Sequence, residues 1–186
     1  MPRIFIGAEL PGRLRSELFE VSNQLKTSIE SARWVARDNI HLTLKFLGSI
    51  TEEQLADIES VLAAKAGVFK RFSFACGALG AFPNQKRARV LWAGIDKGAR
   101  EFIELSKLVN TALEPLGFER DDKPFKPHIT LARLNPPKSI EQPLRTVPEA
   151  SYQGRSVPLE GITIFQSHLK PTGVEYTSRA FIPLGK

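Results

Sequence analysis

Two copies of one short pattern, His41-Leu42-Thr43-Leu44 and His128-Ile129-Thr130-Leu131, lie 87 positions apart (128 − 41) in a chain of 186 residues. Polar and apolar residues alternate through both copies, and this alternation is typical of a β-strand that buries one face. Successive side chains of a strand point to opposite faces, so each strand should present a histidine and a threonine together. A chain with this repeat is expected to fold as two related halves.

The alternation makes specific predictions about the residues that follow each motif. In the first strand it places Lys45 on the face of His41, and it places Phe46 in the core. In the second strand it places Arg133 on the face opposite His128. Lys45 is therefore expected to reach a ligand held by the first motif, whereas Arg133 reaches one only if its strand twists or ends nearby.

The elements around the motifs also repeat, in the order strand, helix, histidine strand, helix, strand. Residues 4–7 (Ile-Phe-Ile-Gly) correspond to residues 90–93 (Val-Leu-Trp-Ala), an offset of 86 (90 − 4). A duplicated unit usually packs about a pseudo-two-fold axis. The two histidine strands should then lie together, with His41 and His128 facing across a central groove.

Periodicity and turn residues predict the remaining elements. Pro11 should open a helix with one apolar stripe, and Thr51 with Gln54 should form the capping box of the next helix. A long strand is predicted over 72–82, and a helix over 99–116. Prolines interrupt residues 136–148, so the helix of the second copy should be weak there.

Composition limits the cellular context and the kinds of site. The net charge is +6, which favours a polyanionic partner, although the Lys and Arg residues are spread along the chain. No apolar run approaches the roughly 20 residues of a membrane span, and a strand follows Met1 at once in place of a cleavable signal. We therefore expect a cytoplasmic monomer. The one cysteine, Cys76, lies in an apolar run and should fill the core, and with three histidines no metal site is expected.

Two histidines that face each other are suited to acid–base chemistry. Imidazole exchanges a proton near neutrality, so one ring can act as base and the other as acid in one step. The hydroxyls of Thr43 and Thr130 could bind phosphate oxygens, and Lys45 or Arg133 could offset the phosphate charge. The sequence has neither a Gly-rich nucleotide loop nor a carboxylate cluster for Mg²⁺, so we expect no cofactor and a reactive substrate such as a strained 2′,3′-cyclic phosphate.

The two motifs and their surroundings resemble one known family. Residues 39–48 and 126–134 are similar to the paired His-x-Thr motifs of the 2H phosphoesterases, and in particular to the RNA 2′,3′-cyclic phosphodiesterases, also called 2′-5′ RNA ligases. The resemblance extends to residues 3–6, 33–35, 82–92 and 167–176, and so covers nearly the whole chain. It implies an α/β (α+β) fold, with 1–186 as a single domain of two pseudo-symmetric lobes. Two antiparallel-rich sheets would flank a central groove, with helices on the outside.

The resemblance also implies an activity and residue roles. The activity is hydrolysis of RNA 2′,3′-cyclic phosphate ends, or of small cyclic nucleotides, to 2′-phosphomonoesters without metal or cofactor, and reversible 2′-5′ ligation would use the same site. The family assigns the proton donor to the position of His41 and the acceptor to that of His128. Thr43 and Thr130 would hold the phosphate, with Arg133 assisting.

Other residues could contact the substrate, and a second function remains open. Four aromatic residues could stack bases, although strand aromatics more often fill cores: Phe5, Trp34, Phe82 and Tyr176. Arg89, with the basic turn at 86–87, either lines the groove or is simply solvated. His168 lacks the motif and should be a surface residue. The alternative function is a non-catalytic nucleotide- or RNA-binding module of the same fold.

Overall fold

The computed structural model describes residues 1–148, 152–171 and 173–186 as ten strands, four α-helices and short 3₁₀ turns. The strands are β1 (Arg3–Glu9), β2 (Ala32–Trp34), β3 (His41–Ser49), β4 (Phe72–Phe74), β5 (Cys76–Phe82), β6 (Ala88–Ile95), β7 (His128–Lys138), β8 (Val157–Leu159), β9 (Gly161–Lys170) and β10 (Gly173–Pro183). The helices are α1 (Gly12–Lys26), α2 (Glu52–Ala66), α3 (Ala99–Leu113) and α4 (Glu141–Leu144).

The central sheet has the order β10-β9-β1-β3-β7-β6-β5, with β2 beside β7, and its ladders are antiparallel. The two motif strands, β3 and β7, meet at one residue pair only, Leu42 with Ile129. One ladder (β10-β9-β1-β3) and a second ladder (β7-β6-β5) therefore diverge from this pair and form the two lobes. The predicted α/β fold with two antiparallel-rich sheets is confirmed.

Three helices pack against the sheet on the face opposite the groove between the two ladders. Helix α1 packs against β7, α2 against β10 and α3, and α3 against β3. The stripe predicted for α1 is buried, and the capping box between Thr51 and Gln54 is formed at the start of α2. No helix in the described ranges is long and apolar enough to cross a bilayer.

Some predicted elements are divided or shortened. The strand predicted over 72–82 breaks at Ala75, because the backbone there bonds to Lys97 and Asp96, while β4 pairs with β8 and not with β6. The helix predicted over 99–116 becomes a 3₁₀ turn after Leu113, where Pro115 lacks a backbone N–H. Cys76 is buried, and burial raises the pKa of its thiol to about 12, so its prediction as a core residue is confirmed.

A β-bulge follows the first motif. Ile6 pairs with Lys45 and Gly7 pairs with Thr43, so Leu44 has no partner on β1. A Cβ atom at position 7 would come within 2.7 Å of a carbonyl oxygen of β3, and only glycine allows the strands to approach this closely. An extra residue in one strand reverses the alternation of faces beyond it.

The second motif carries the same bulge at the same place. Leu91 pairs with Ala132 and Trp92 pairs with Thr130, so Leu131 has no partner on β6. The pseudo-symmetry of the lobes therefore includes this irregularity. Because of the two bulges, Leu91 corresponds to Ile6. The offset between the two halves is therefore 85 (91 − 6), one less than the offset predicted from the sequence.

The bulges overturn three predictions about side-chain direction. Lys45 is buried, with 4% of its surface exposed, and Phe46 is 68% exposed, so the predicted faces of these two residues were wrong. Arg133, in contrast, is exposed on the face of His128, because Thr130 and Arg133 pair with Trp92 and Val90 on one face of β6. Its predicted placement on the opposite face was also wrong.

The Lys45 ammonium group forms its hydrogen bonds on the helix-covered face of the sheet. Its Nζ donates hydrogen bonds to Asn110 Oδ1 (2.6 Å) on α3 and to the carbonyl of Glu119 (2.7 Å), and it lies 3.7 Å from the Asp121 carboxylate. The predicted substrate contact of Lys45 therefore lacks its geometric basis.

Replacing Lys45 with methionine should destabilise the protein, because the buried amide oxygen of Asn110 and the backbone carbonyl of Glu119 would lose their donor. An unsatisfied buried polar group costs about 1–3 kcal/mol, and we expect the free energy of unfolding to fall by that amount. Urea denaturation measures the change, and Lys65→Met, at an exposed position of α2, is the matched control. Equal stability of the two variants would contradict the buried role of Lys45.

Candidate active site

Both motif histidines are oriented by a backbone carbonyl two residues earlier. His41 Nδ1 lies 2.7 Å from the carbonyl oxygen of Asn39, and His128 Nδ1 lies 2.7 Å from that of Lys126. A carbonyl oxygen only accepts, so Nδ1 carries the proton in both rings and Nε2 carries the lone pair when the ring is neutral. His41 Nε2 lies 2.9 Å from the Thr43 hydroxyl, which can donate to it. Because Nδ1 is held by a backbone carbonyl in both rings, Nε2 is the atom that can exchange a proton with a ligand, and in His41 it does so beside the Thr43 hydroxyl.

The two rings lie on either side of the point where the lobes meet. Leu42 pairs with Ile129 in antiparallel register, so each motif's histidine lies beside the other motif's threonine, on the opposite face from this pair. In a regular ladder His41 and His128 would be diagonal neighbours about 7–8 Å apart, and here β3 and β7 diverge from the single Leu42–Ile129 pair. This spacing leaves room for a phosphate group between two imidazoles.

Aromatic rings surround His41. Its ring centroid lies 4.8 Å from that of Phe5, 5.2 Å from that of Tyr176 and 5.6 Å from that of Phe165. Phe5 is only 3% exposed, so it supports the imidazole and has little surface left for a base. Sequence reasoning did not identify Phe165, because strand alternation alone does not distinguish a core phenylalanine from one against a histidine.

A second aromatic group lies against His128. The Phe82 ring lies 5.0 Å from the imidazole and the Trp92 ring 6.3 Å from it. The indole of Trp92 covers Gly80, where a Cβ atom would overlap it. The sequence predicted Phe82 as a substrate contact. It did not predict Trp92, whose position depends on Gly80 in the neighbouring strand.

Trp34 and Arg89 were also predicted to contact the substrate. Trp34 pairs with Ala132, whose side chain is on the buried face of β7, and its ring lies 6.0 Å from Lys26 Nζ at the end of α1. Its predicted stacking role was wrong, because this is the face opposite the histidines. Arg89 is exposed on β6, and its contact with substrate stays a prediction. His168 bonds to Thr177 across the β9–β10 hairpin, outside both motifs.

Burial makes both motif imidazoles weak bases. Burial lowers the pKa of His41 to about 4, although the hydrogen bond to the Asn39 carbonyl opposes this shift. Burial also lowers the pKa of His128, opposed by the Lys126 carbonyl, and the positive charge of Arg133 lowers it further. Both rings are therefore neutral at pH 7 in the free protein.

Arg133 and Tyr176 come together from different lobes. Burial raises the pKa of the Tyr176 phenol, and the charge of Arg133 lowers it, so the guanidinium acts on both Tyr176 and His128. Beside His41, a cavity of about 250 Å³ opens between Tyr176 and Arg15 of α1. The site therefore combines two neutral imidazoles, two hydroxyls and the guanidinium of Arg133 in a cleft with aromatic walls.

The low pKa of His41 should make stability depend on pH. Its folded pKa of about 4 lies below the unfolded value of 6.5, so its contribution is fully present above pH 6.5 and is lost as the pH falls through 4. We expect wild type to lose about 3 kcal/mol more than His41→Gln between pH 7 and pH 4, since one pKa unit corresponds to about 1.4 kcal/mol.

Urea denaturation of the two proteins across this pH range measures the difference, and NMR titration of the imidazole measures the pKa directly. Parallel stability curves for wild type and His41→Gln would contradict the buried, neutral state of His41.

Comparisons with known proteins agree with this geometry. The family described as LigT like Phosphoesterase matches residues 9–92 and residues 94–176, one match on each half of the chain. A relative from Methanothermobacter thermautotrophicus, named RNA 2′,3′-cyclic phosphodiesterase, is 27% identical over 94% of this chain and 95% of its own length.

Two solved structures are similar over the whole chain. A protein of Thermus thermophilus is 32% identical, with 99% of both chains covered and a TM-score of 0.83. LigT of Escherichia coli, solved as a complex with 3′-AMP, is 26% identical, with 100% of both chains covered and a TM-score of 0.81. The resemblance noted in the two His-x-Thr motifs thus extends to the complete fold, and the chain belongs to the LigT-like phosphoesterase family.

Proposed function

We propose that this protein hydrolyses RNA 2′,3′-cyclic phosphate ends to 2′-phosphomonoesters, with His128 as proton acceptor and His41 as proton donor. The observation that carries the proposal is the orientation of the two imidazoles. Each Nδ1 is held by a backbone carbonyl, so the proton-exchanging atom of each ring is Nε2, which in His41 lies against the Thr43 hydroxyl. The name of the M. thermautotrophicus relative supports the substrate.

His128 is suited to the role of base because the Arg133 guanidinium, which lowers its pKa, lies beside it and not beside His41. Water attacks the phosphorus on the side away from the 3′-oxygen, and Nε2 of His128 accepts a proton from that water as the new P–O bond forms. The nearby charge of Arg133 disfavours the imidazolium before reaction. The ring is thus in its proton-accepting form when the substrate binds.

His41 takes the role of acid once an anion is bound. The free ring is neutral at pH 7, but a phosphate charge beside it stabilises the imidazolium and raises its pKa. Its Nε2–H then protonates the 3′-oxygen as the P–O3′ bond breaks, leaving the phosphate on the 2′-oxygen. His41 ends neutral and His128 protonated, and exchange with solvent restores the starting state.

The threonines and Arg133 would hold the phosphate during this step. The hydroxyls of Thr43 and Thr130 can donate to non-bridging oxygens, and a guanidinium can bind two oxygens at once. The bulge at Leu131 supports this role for Arg133, because it brings the side chain to the face of the histidines. Arg133 is the groove cation that would offset the growing negative charge.

The same site would also catalyse ligation if a hydroxyl takes the place of water while His41 protonates the 3′-oxygen. If a 5′-hydroxyl of a second RNA replaces water, its proton passes to His128 and its oxygen bonds to phosphorus, which gives a 2′-5′ linkage. Small cyclic nucleotides carry the same reacting group and would also be substrates. E. coli LigT has been solved with 3′-AMP, which supports nucleotide binding by this chain. A cytoplasmic location and a monomeric state stay predictions of the sequence.

Replacing either motif histidine with alanine should reduce hydrolysis by about 10²–10⁴-fold, since each proton transfer contributes about that factor. The substrate is a short RNA with a 2′,3′-cyclic phosphate end, incubated with EDTA and followed by phosphorus NMR. His168→Ala is the matched control, because this third histidine is outside both motifs, and it should retain wild-type turnover.

The product also tests the direction of ring opening. A 2′-phosphate supports the proposed orientation, whereas a 3′-phosphate would reverse which oxygen receives the proton. Measurable RNA binding without conversion by the wild type would contradict hydrolysis and favour a binding module. Equal turnover in all three histidine variants would contradict the two-histidine mechanism.

Arg133→Gln should lower kcat/KM by about 10²-fold, the typical effect of removing one preorganised donor from a developing anion. The same change should raise the pKa of His128, because the guanidinium lowers it in the wild type. Steady-state kinetics and NMR titration measure the two effects. Arg100→Gln, an exposed arginine of α3, is the control, and an equal loss in both variants would point to a general charge effect.

A further inference from the structure

Arg15, near the start of α1, has a guanidinium group without a partner in the part of the chain that the structure describes. The side chain is half-buried, and its Nε is buried with no hydrogen-bond acceptor. Two nearby arginines are paired, Arg13 with Glu17 (3.1 Å) and Arg37 with Asp38 (3.0 Å). A charged group removed from water is normally paired, because an unpaired one costs stability. Arg15 is therefore the cation of this region whose charge remains available to a ligand.

The guanidinium lines the cavity of about 250 Å³ beside His41. The cavity lies where β1 ends, β3 begins and α1 starts, since Leu10, Ile40 and Arg15 are all part of its lining. A water molecule takes up about 30 Å³ in the liquid, so the cavity has room for a much larger group. A ligand held at His41 can thus extend towards Arg15.

The other donors around the cavity suit an anion that is rich in oxygen. Tyr176 and Ser178 are two positions apart on β10, so their side chains lie on the same face of the strand, and both line the cavity. Burial raises the pKa of the Tyr176 phenol, so the hydroxyl keeps its proton and can donate it. The guanidinium adds a planar group that can bind two oxygens of one phosphate.

Two carboxylates of the lining limit how much negative charge the cavity accepts. The charge of Asp38 is offset by its ion pair with Arg37. Glu9 is exposed, so water and salt screen its charge more than they screen the half-buried Arg15. This balance favours an anion with a single charge, such as a phosphodiester, over a more highly charged group.

The proposed reaction directs the RNA chain towards this cavity. His41 protonates the 3′-oxygen, so C3′ of the terminal ribose lies on the His41 side of the phosphorus, while water attacks from the His128 side. C4′ and C5′ connect C3′ to the 5′-oxygen. The phosphodiester on that oxygen joins the terminal nucleotide to the rest of the RNA, and it is the first anionic group beyond His41.

We propose that Arg15 binds the 5′-phosphodiester of the terminal nucleotide, so that the cavity beside His41 favours the ends of RNA chains over cyclic mononucleotides. The inference rests on the proposed function for the position of the cyclic phosphate and for the direction of the chain. Every RNA end carries this diester, whatever its sequence, whereas a nucleoside 2′,3′-cyclic phosphate lacks it. Arg15 thus supplies selectivity for chain length and not for the base.

The test compares two ligands that differ only in the diester. Calorimetry measures binding of 2′-AMP, and of 2′-AMP with a methyl phosphodiester on its 5′-oxygen, to wild type, Arg15→Gln and Arg15→Lys. Wild type should bind the diester roughly 10-fold tighter, the low end of the range for a hydrogen bond to a charged group. Arg15→Gln should remove this difference and leave 2′-AMP binding unchanged, which also shows that the variant is folded. Arg15→Lys should retain part of the difference.

Arg13→Gln is the matched control, because Arg13 is an exposed arginine of the same helix and is paired with Glu17. It should bind both ligands as wild type does. Equal binding of the two ligands by wild type, an equal loss of both in Arg15→Gln, or the same selective loss in Arg13→Gln would overturn the proposal.

The assay requires no turnover, so its outcome is separate from that of hydrolysis. A selective loss of the diester ligand in Arg15→Gln, together with a wild type that hydrolyses no cyclic phosphate, would support the subsite and contradict the proposed reaction. Hydrolysis that requires both motif histidines, together with equal binding of the two ligands by wild type, would contradict the subsite alone.

Discussion

One unpaired residue in each histidine strand decides which side chains reach the groove. Leu44 and Leu131 have no partner on the neighbouring strand, and beyond them the faces of β3 and β7 exchange. Without the bulges, Arg133 would point towards the helices, and the buried Lys45 would face the ligand. The chemistry of the groove therefore depends on the same register shift in both lobes, formed where β1 and β6 pair with the motif strands.

The lobes share a geometry but differ in chemistry. In both, a carbonyl two residues before the histidine fixes Nδ1, and burial lowers the pKa of the ring. The position after the bulge then differs, being Arg133 in one lobe and Phe46 in the other. Arg133 disfavours protonation of His128 and provides charge for a phosphate, whereas Phe46 provides an apolar surface. The residue at this one symmetric position therefore gives His128, but not His41, a neighbouring positive charge.

Local sequence patterns predict the parts of the fold that local interactions determine. The apolar stripe of α1 and the capping box of α2 depend on residues a few positions apart, and both are observed. The directions of Lys45, Phe46 and Arg133 were wrong because a bulge depends on the partner strand. The position of Trp34 could not be predicted for the same reason, because the pairing of β2 with β7 determines the face on which its side chain lies. The motif histidines were identified because their chemistry is repeated, which does not require knowledge of register.

The central claim is that His41 and His128 act on one phosphate from opposite sides, with Arg133 brought to it by the bulge. A crystal structure of the protein with inorganic phosphate tests this most directly. We expect Nε2 of both histidines to lie at hydrogen-bond distance, about 2.7–3.2 Å, from oxygens of the same phosphate, and the Arg133 guanidinium to contact that phosphate as well. A phosphate bound by Lys45, or by one histidine alone, would contradict it.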